Sequence, residues 1–203
     1  YPELRCTHLP ERQGELCIGK EATFEMMERI LDEVMEIFPS EYIHIGGDEA
    51  GKQEWSKCED CQRRIKEEGL NGVDELQSYM IHRIEEYLNS HNRQIIGWDE
   101  ILQGGLAPNA TVMSWRGEEG GITAANMGHD VIMSPHGYCY IDAPQDAPCT
   151  EPESIGGYLP LERVYSYDPA PNSLDESVRR HIIGVQANLW AEFIPTDEHY
   201  EYM

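Results

Sequence analysis

Apolar residues recur along this 203-residue chain at two spacings. Over residues 22–38, Phe24, Met27, Ile30, Leu31, Val34 and Phe38 keep helical spacing until Pro39 stops the run. A short strand, 42–45, follows at once. Residues 54–68 predict a second helix closed by Gly69, a favourable C-cap. Val73-Asp74-Glu75-Leu76-Gln77 offers an Asp N-cap with Gln three residues on, and the helix it opens places Leu76, Met80, Ile84, Tyr87 and Leu88 on one face. These stripes are expected to pack the core. Strands are then expected at 94–98, 111–115, 130–133 and 182–188, with a short helix over 121–127 closed by Gly128. The long connection 134–180 holds seven prolines and a short helix near Leu161–Tyr165. Connections of that length are uncommon unless they serve function.

The five strands are almost continuously apolar, and several alternate with helices. That pattern predicts α/β architecture with a parallel sheet covered on its outer face. Polar and aromatic residues cluster just after each strand, which is where a (β/α)₈ barrel builds its site. A chain of this size fits one domain, taken as 1–203.

Charge narrows the partners. With 38 acidic against 15 basic residues the net charge is −23, so the protein's own field repels phosphates. Nucleic acid and anionic membranes are therefore not expected, whereas a neutral sugar is unaffected. No apolar run approaches the roughly 20 residues of a membrane span. Of the six cysteines, Cys58-Glu59-Asp60-Cys61 has the spacing of half a zinc site or a redox pair, but no second CxxC or His-x₃-His lies nearby to complete it. A local structural role is the expectation for Cys58 and Cys61, with no metal and no cofactor. The compartment expected is periplasmic or secreted.

The richest stretch is Tyr42-Ile43-His44-Ile45-Gly46-Gly47-Asp48-Glu49. Side chains alternate along a strand, so adjacent acids converge on one ligand only where the backbone turns, and Gly46-Gly47 permit that turn. Two carboxyl groups at a strand's C-terminal rim suit acid/base chemistry. Two so close resist ionising together, so one is expected to hold its proton more tightly. Further strand ends supply Trp98, Trp115, Tyr140 with Asp142, and Trp190 with Glu192; three of the four tryptophans thus share one structural position. Sugars stack their C–H faces on aromatic rings while their hydroxyls need carboxylates.

The segments His44-Ile45-Gly46-Gly47-Asp48-Glu49, Gly97-Trp98-Asp99-Glu100, Ser114-Trp115-Arg116-Gly117, Tyr140-Ile141-Asp142 and Asn188-Leu189-Trp190-Ala191-Glu192 resemble, in order and spacing, a family 20 glycoside hydrolase, a β-N-acetylhexosaminidase. The resemblance covers essentially the whole chain. It implies that N-acetylhexosamine-containing glycans are cleaved at their terminal β-linked residues. Glu49 is then the general acid and later the base, and Asp48 orients the 2-acetamido group. Tyr140 binds the acetamido oxygen as it attacks the anomeric carbon. Trp98, Trp115 and Trp190 wall the pocket, and Asp142 and Glu192 hold ring hydroxyls. The intermediate is an oxazolinium ion, with retention at the anomeric centre.

The family's barrel has eight strands and this chain about five, matching the fourth to the eighth. It is expected to be the C-terminal portion of a longer enzyme, inactive alone and prone to self-association through uncovered strand edges. A non-catalytic carbohydrate-binding module would keep the tryptophans but needs no acid at Glu49. A hydrolase with two protein carboxylates would also accept glucosides, and a metal or redox role for Cys58 and Cys61 would show in elemental analysis.

Overall fold

The computed structural model describes residues 1–6, 15–147 and 149–203. Pro148 of the long connection lies outside them. Two compact units divide the chain, Tyr1–Thr111 and Val112–Met203.

The first unit holds α1 (Glu21–Ile37), β1 (Tyr42–His44), α2 (Glu59–Glu67), α3 (Val73–Ser90), β2 (Gln94–Trp98) and a 3-10 turn at Asp99–Leu102. β1 and β2 pair in parallel, Ile43 beside Ile95, with both helices in the crossover between them. The pairing continues past β1, since Ile45 N–H donates to Ile96 and Trp98 N–H donates to Gly46, each at 2.9 Å.

Three local expectations change. Residues 54–68 do not form one helix: Cys58 is extended (φ −75°, ψ 121°), so 53–57 turn separately and α2 begins at Glu59. Its end is as expected, with Gly69 at φ +68°. Gly72, not Asp74, precedes α3, because Asp74 lies within the first turn and pairs with Lys52 at 2.7 Å. The apolar stripes are only partly covered. On α1 Phe24 is fully buried, yet Ile30 is exposed, as is Phe38 just past the end of the helix. On α3 the buried face is Leu76, Ile81, Ile84 and Leu88, while Tyr87 turns to donate to Asp32 of α1 at 2.5 Å.

The second unit holds β3 (Thr111–Ser114), α4 (Glu119–Asn126), β4 (Val131–Met133), α5 (His136–Cys139), α6 (Leu161–Tyr165), α7 (Glu176–Arg179), β5 (Ile182–Val185) and α8 (Asp197–Tyr202). β3 pairs with β4 and β4 with β5, all parallel, with a register shift between Val131 and Ile132. β3 is buried at every residue, as a covered parallel strand should be. β5 differs, with Ile183 and Val185 exposed. Among the described residues the 134–180 connection carries three short helices, and the one expected at 161–165 is α6.

Gly47 tests the turn after β1. It sits at φ +93°, and a Cβ there would lie 2.6 Å from Ile101 Cγ2. Gly47→Ala combines a left-handed penalty with overpacking, an expected loss of about 2–4 kcal/mol. Thermal denaturation reads it; an unchanged midpoint would mean that Ile101 yields freely.

Candidate active site

Beyond β1 the chain leaves the sheet in four left-handed steps: Gly46 (φ +73°), Gly47 (+93°), Glu49 (+51°) and Lys52 (+56°). For the two non-glycine residues this conformation is costly, about 1–2 kcal/mol each, and persists only where the surroundings impose it. Those surroundings are identifiable. Lys52 Nζ binds Asp74 and the Gln103 side chain. Ala50 packs on a buried cluster containing Trp55, whose indole donates to Leu16 O at 3.0 Å. The result is that Asp48 and Glu49 stand exposed at the C-terminal end of β1.

Trp98, at the end of β2, is buried, and its ring meets that of His44 edge-on at 4.9 Å. His44 Nδ1 accepts the Gly46 N–H at 3.1 Å, which leaves the ring's proton to Nε2. Loss of solvent lowers the His44 pKa, against the opposing pull of the Asp48 carboxylate. His44 thus joins Trp98 and Asp48 in one neighbourhood. It lies two residues before the Gly-Gly-Asp-Glu motif, and only the pairing of β1 with β2 sets it against Trp98.

In the second unit Trp115 and Tyr140 stack, with ring centroids 6.2 Å apart and planes 24° from parallel. His136 fixes the segment between them, donating its N–H to Trp115 O at 2.8 Å and meeting Tyr140 edge-on. Tyr140 bridges to Asn188, with Ile141 N–H on Asn188 O at 2.9 Å and Asn188 N–H on Cys139 O at 2.7 Å. Beneath them, Nδ2 of buried Asn188 donates to Ser134 Oγ at 2.6 Å, and its Oδ1 accepts from Gln186 Nε2 at 2.9 Å. Ser134 Oγ in turn donates to Gln186 O. Ser134, Gln186 and Asn188 escaped the sequence reading as site supports because single polar residues at strand ends carry no distinguishing pattern.

Asp142 is 3% exposed, and among the described residues no side chain hydrogen-bonds to either of its carboxylate oxygens. Burial raises its pKa and the Glu192 carboxylate adds to this, while the backbone amides of Asp142 and Trp190 offset it only in part. Trp190 is 41% exposed and Glu192 is exposed. A buried acceptor with no side-chain donor favours a hydroxyl-bearing ligand.

This yields a prediction with a definite sign. A carboxyl whose folded pKa is raised contributes most below its unfolded pKa, and that contribution is lost as pH rises through the folded value. Asp142→Asn is therefore expected to stabilise the protein at neutral pH by about 1 kcal/mol, and by nothing near pH 3. Melting curves at the two pH values check it; a neutral-pH loss would show that the carboxylate is paired.

Four cysteines also converge in the first unit. Cys6, Cys17, Cys58 and Cys61 are buried free thiols whose sulfurs all lie within 4.8 Å of one another. From sequence only the Cys58/Cys61 half was visible.

A sequence profile of the glycosyl hydrolase family 20 catalytic domain matches residues 5–203. A β-hexosaminidase of Porphyromonas gingivalis is 50% identical across 100% of this chain, which covers 27% of that protein. A β-hexosaminidase of Vibrio furnissii is 34% identical over 89% of the chain and 30% of its own length. Among solved structures, the family 20 exo-β-N-acetylglucosaminidase of Vibrio harveyi, in complex with N-acetylglucosamine, superposes with a TM-score of 0.82 at 30% identity. It matches 92% of this chain, which spans 30% of that enzyme. The β-N-acetylhexosaminidase of Bacteroides fragilis gives 0.78 at 29% identity, over 94% and 39%. The chain thus spans well under half the length of these relatives, and its five parallel strands are part of a (β/α)₈ barrel. With the profile match running over all but its first four residues, the chain belongs to glycosyl hydrolase family 20.

Proposed function

We propose that the protein carrying this chain removes terminal β-linked N-acetylhexosamine from glycans, with retention and with the substrate's own acetamido group as nucleophile. The observation that carries this reading is the Asp48-Glu49 pair, held out past β1 with Glu49 at φ +51°. Strain of this kind collects where a side chain must be aimed. Glu49 protonates the glycosidic oxygen and then activates water. Asp48 steadies the acetamido nitrogen as positive charge develops on it. Tyr140, stacked on Trp115, donates its hydroxyl to the acetamido oxygen, which attacks the anomeric carbon. No enzyme-linked sugar forms. Trp98, Trp115 and Trp190 offer apolar walls, and Asp142 and Glu192 accept ring hydroxyls. The variant that relieves Asp142 of its buried charge should therefore raise KM while it raises stability.

The test is an assay of the full-length protein on an aryl N-acetylglucosaminide beside the matching glucoside. Cleavage of the first alone supports the reading. Cleavage of both points to two protein carboxylates, and binding without cleavage to a carbohydrate-binding module.

A further inference from the structure

Four sulfurs within 4.8 Å of one another need a reason. Cys17 Sγ is 3.6 Å from both Cys58 and Cys61, and Cys61 is also 3.9 Å from Cys6. A tetrahedral metal with Zn–S bonds of about 2.3 Å has sulfur–sulfur edges of about 3.8 Å. Disulfides would pair the sulfurs two by two, yet Cys17 favours neither of two neighbours. The separations are those of corners around a common centre.

The backbone is shaped for the same end. Arg5 and Leu16 form an isolated antiparallel bridge, so Cys6 and Cys17 each directly follow a paired residue. Cys17 N–H donates to Leu4 O at 2.8 Å, and Thr23 Oγ1 donates to Cys17 O at 2.7 Å. Cys58 precedes α2, whose nine residues begin at Glu59, and Cys61 lies in its first turn, where unpaired N–H groups favour thiolate charge. Gly19 lets the two parts meet: a Cβ on it would lie 2.1 Å from the Asp60 carbonyl carbon. Phe24, Trp55 and Leu76 bury the group, as closed structural sites require.

We propose that Cys6, Cys17, Cys58 and Cys61 bind one zinc ion as a closed tetrathiolate site. Binding releases the thiol protons to solvent, with no change of oxidation state. The ion joins the Cys6 and Cys17 segments to α2. Ala50 packs on this cluster, so the ion also anchors the loop that carries Asp48 and Glu49. Tetrahedral S₄ sites take zinc or iron, and zinc is the assignment here.

The full-length protein, purified without chelators, should contain about one zinc per chain by elemental analysis. A thiol-directed mercurial should release it, and cobalt(II) exchanged into the site should show the intense visible bands of tetrahedral thiolate coordination. The Cys58→Ser/Cys61→Ser variant should lose the metal, whereas Cys149→Ser, at an exposed cysteine outside the cluster, should keep it. If the double variant fails to fold, the mercurial release and cobalt spectrum of the unaltered protein still decide. Two disulfides mapped among these cysteines, four alkylatable thiols without metal, iron in place of zinc, or zinc retained by the double variant would each overturn the proposal.

Discussion

Glu49→Gln in the full-length protein is expected to reduce turnover on a natural disaccharide by roughly 10²–10⁴-fold, the range for loss of a general acid. Glutamine keeps the size of the side chain and its capacity to hold φ +51°, so the loop should survive the exchange. What it cannot do is deliver a proton to the departing oxygen. The loss should therefore track the leaving group: large for an alkyl sugar, small for an aryl group that departs without help. In the proposed mechanism deglycosylation also uses Glu49 as base, so fast-leaving substrates should accumulate the intermediate and show a burst. Steady-state kinetics across a leaving-group series measures this directly. Near-normal turnover of the disaccharide would remove Glu49 from the role.

Asp48→Asn should behave differently. Its proposed partner is the acetamido nitrogen, whose positive charge develops whatever group departs. Loss of that electrostatic stabilisation should cost roughly 10²–10³-fold on every substrate, with no leaving-group trend. A thiazoline mimic of the cyclic intermediate should inhibit the unaltered protein strongly and the variant weakly, if Asp48 holds the proposed role of recognising the charged ring. Asp48 also faces His44, whose pKa its carboxylate raises against the lowering effect of burial. Removing that charge should lower the His44 pKa further, a shift that NMR titration of the ring reads independently of turnover. A covalent fluoro-sugar adduct on either carboxylate would falsify the substrate-assisted route.

Much of this was local and so readable along the chain. The glycine pair before Asp48-Glu49, the C-cap at Gly69 and the helix at 161–165 follow from backbone torsions and short-range spacing, which no distant residue overrides. The parallel α/β class follows from apolar runs alternating with helices. Trp98, Trp115, Tyr140, Asp142, Trp190 and Glu192 could be put forward as site candidates because motifs at strand ends keep their order in sequence. The start of α2 could not, since the extended Cys58 is set by the cluster around it and not by helix propensity. Nor could the exposure of Ile30 and Phe38, because periodicity marks which face of a helix is apolar and not what covers it. The burial of the Asp142 carboxylate and the stacking of Trp115 on Tyr140 depend on chain segments more than 20 residues apart in sequence, as do His44 against Trp98 and the Ser134–Asn188 bond. The cysteines mark the boundary most clearly. Two of the four are visible as a CxxC, while Cys6 and Cys17 reach them across 41 to 55 residues, through an antiparallel bridge and a glycine contact that only the folded chain creates.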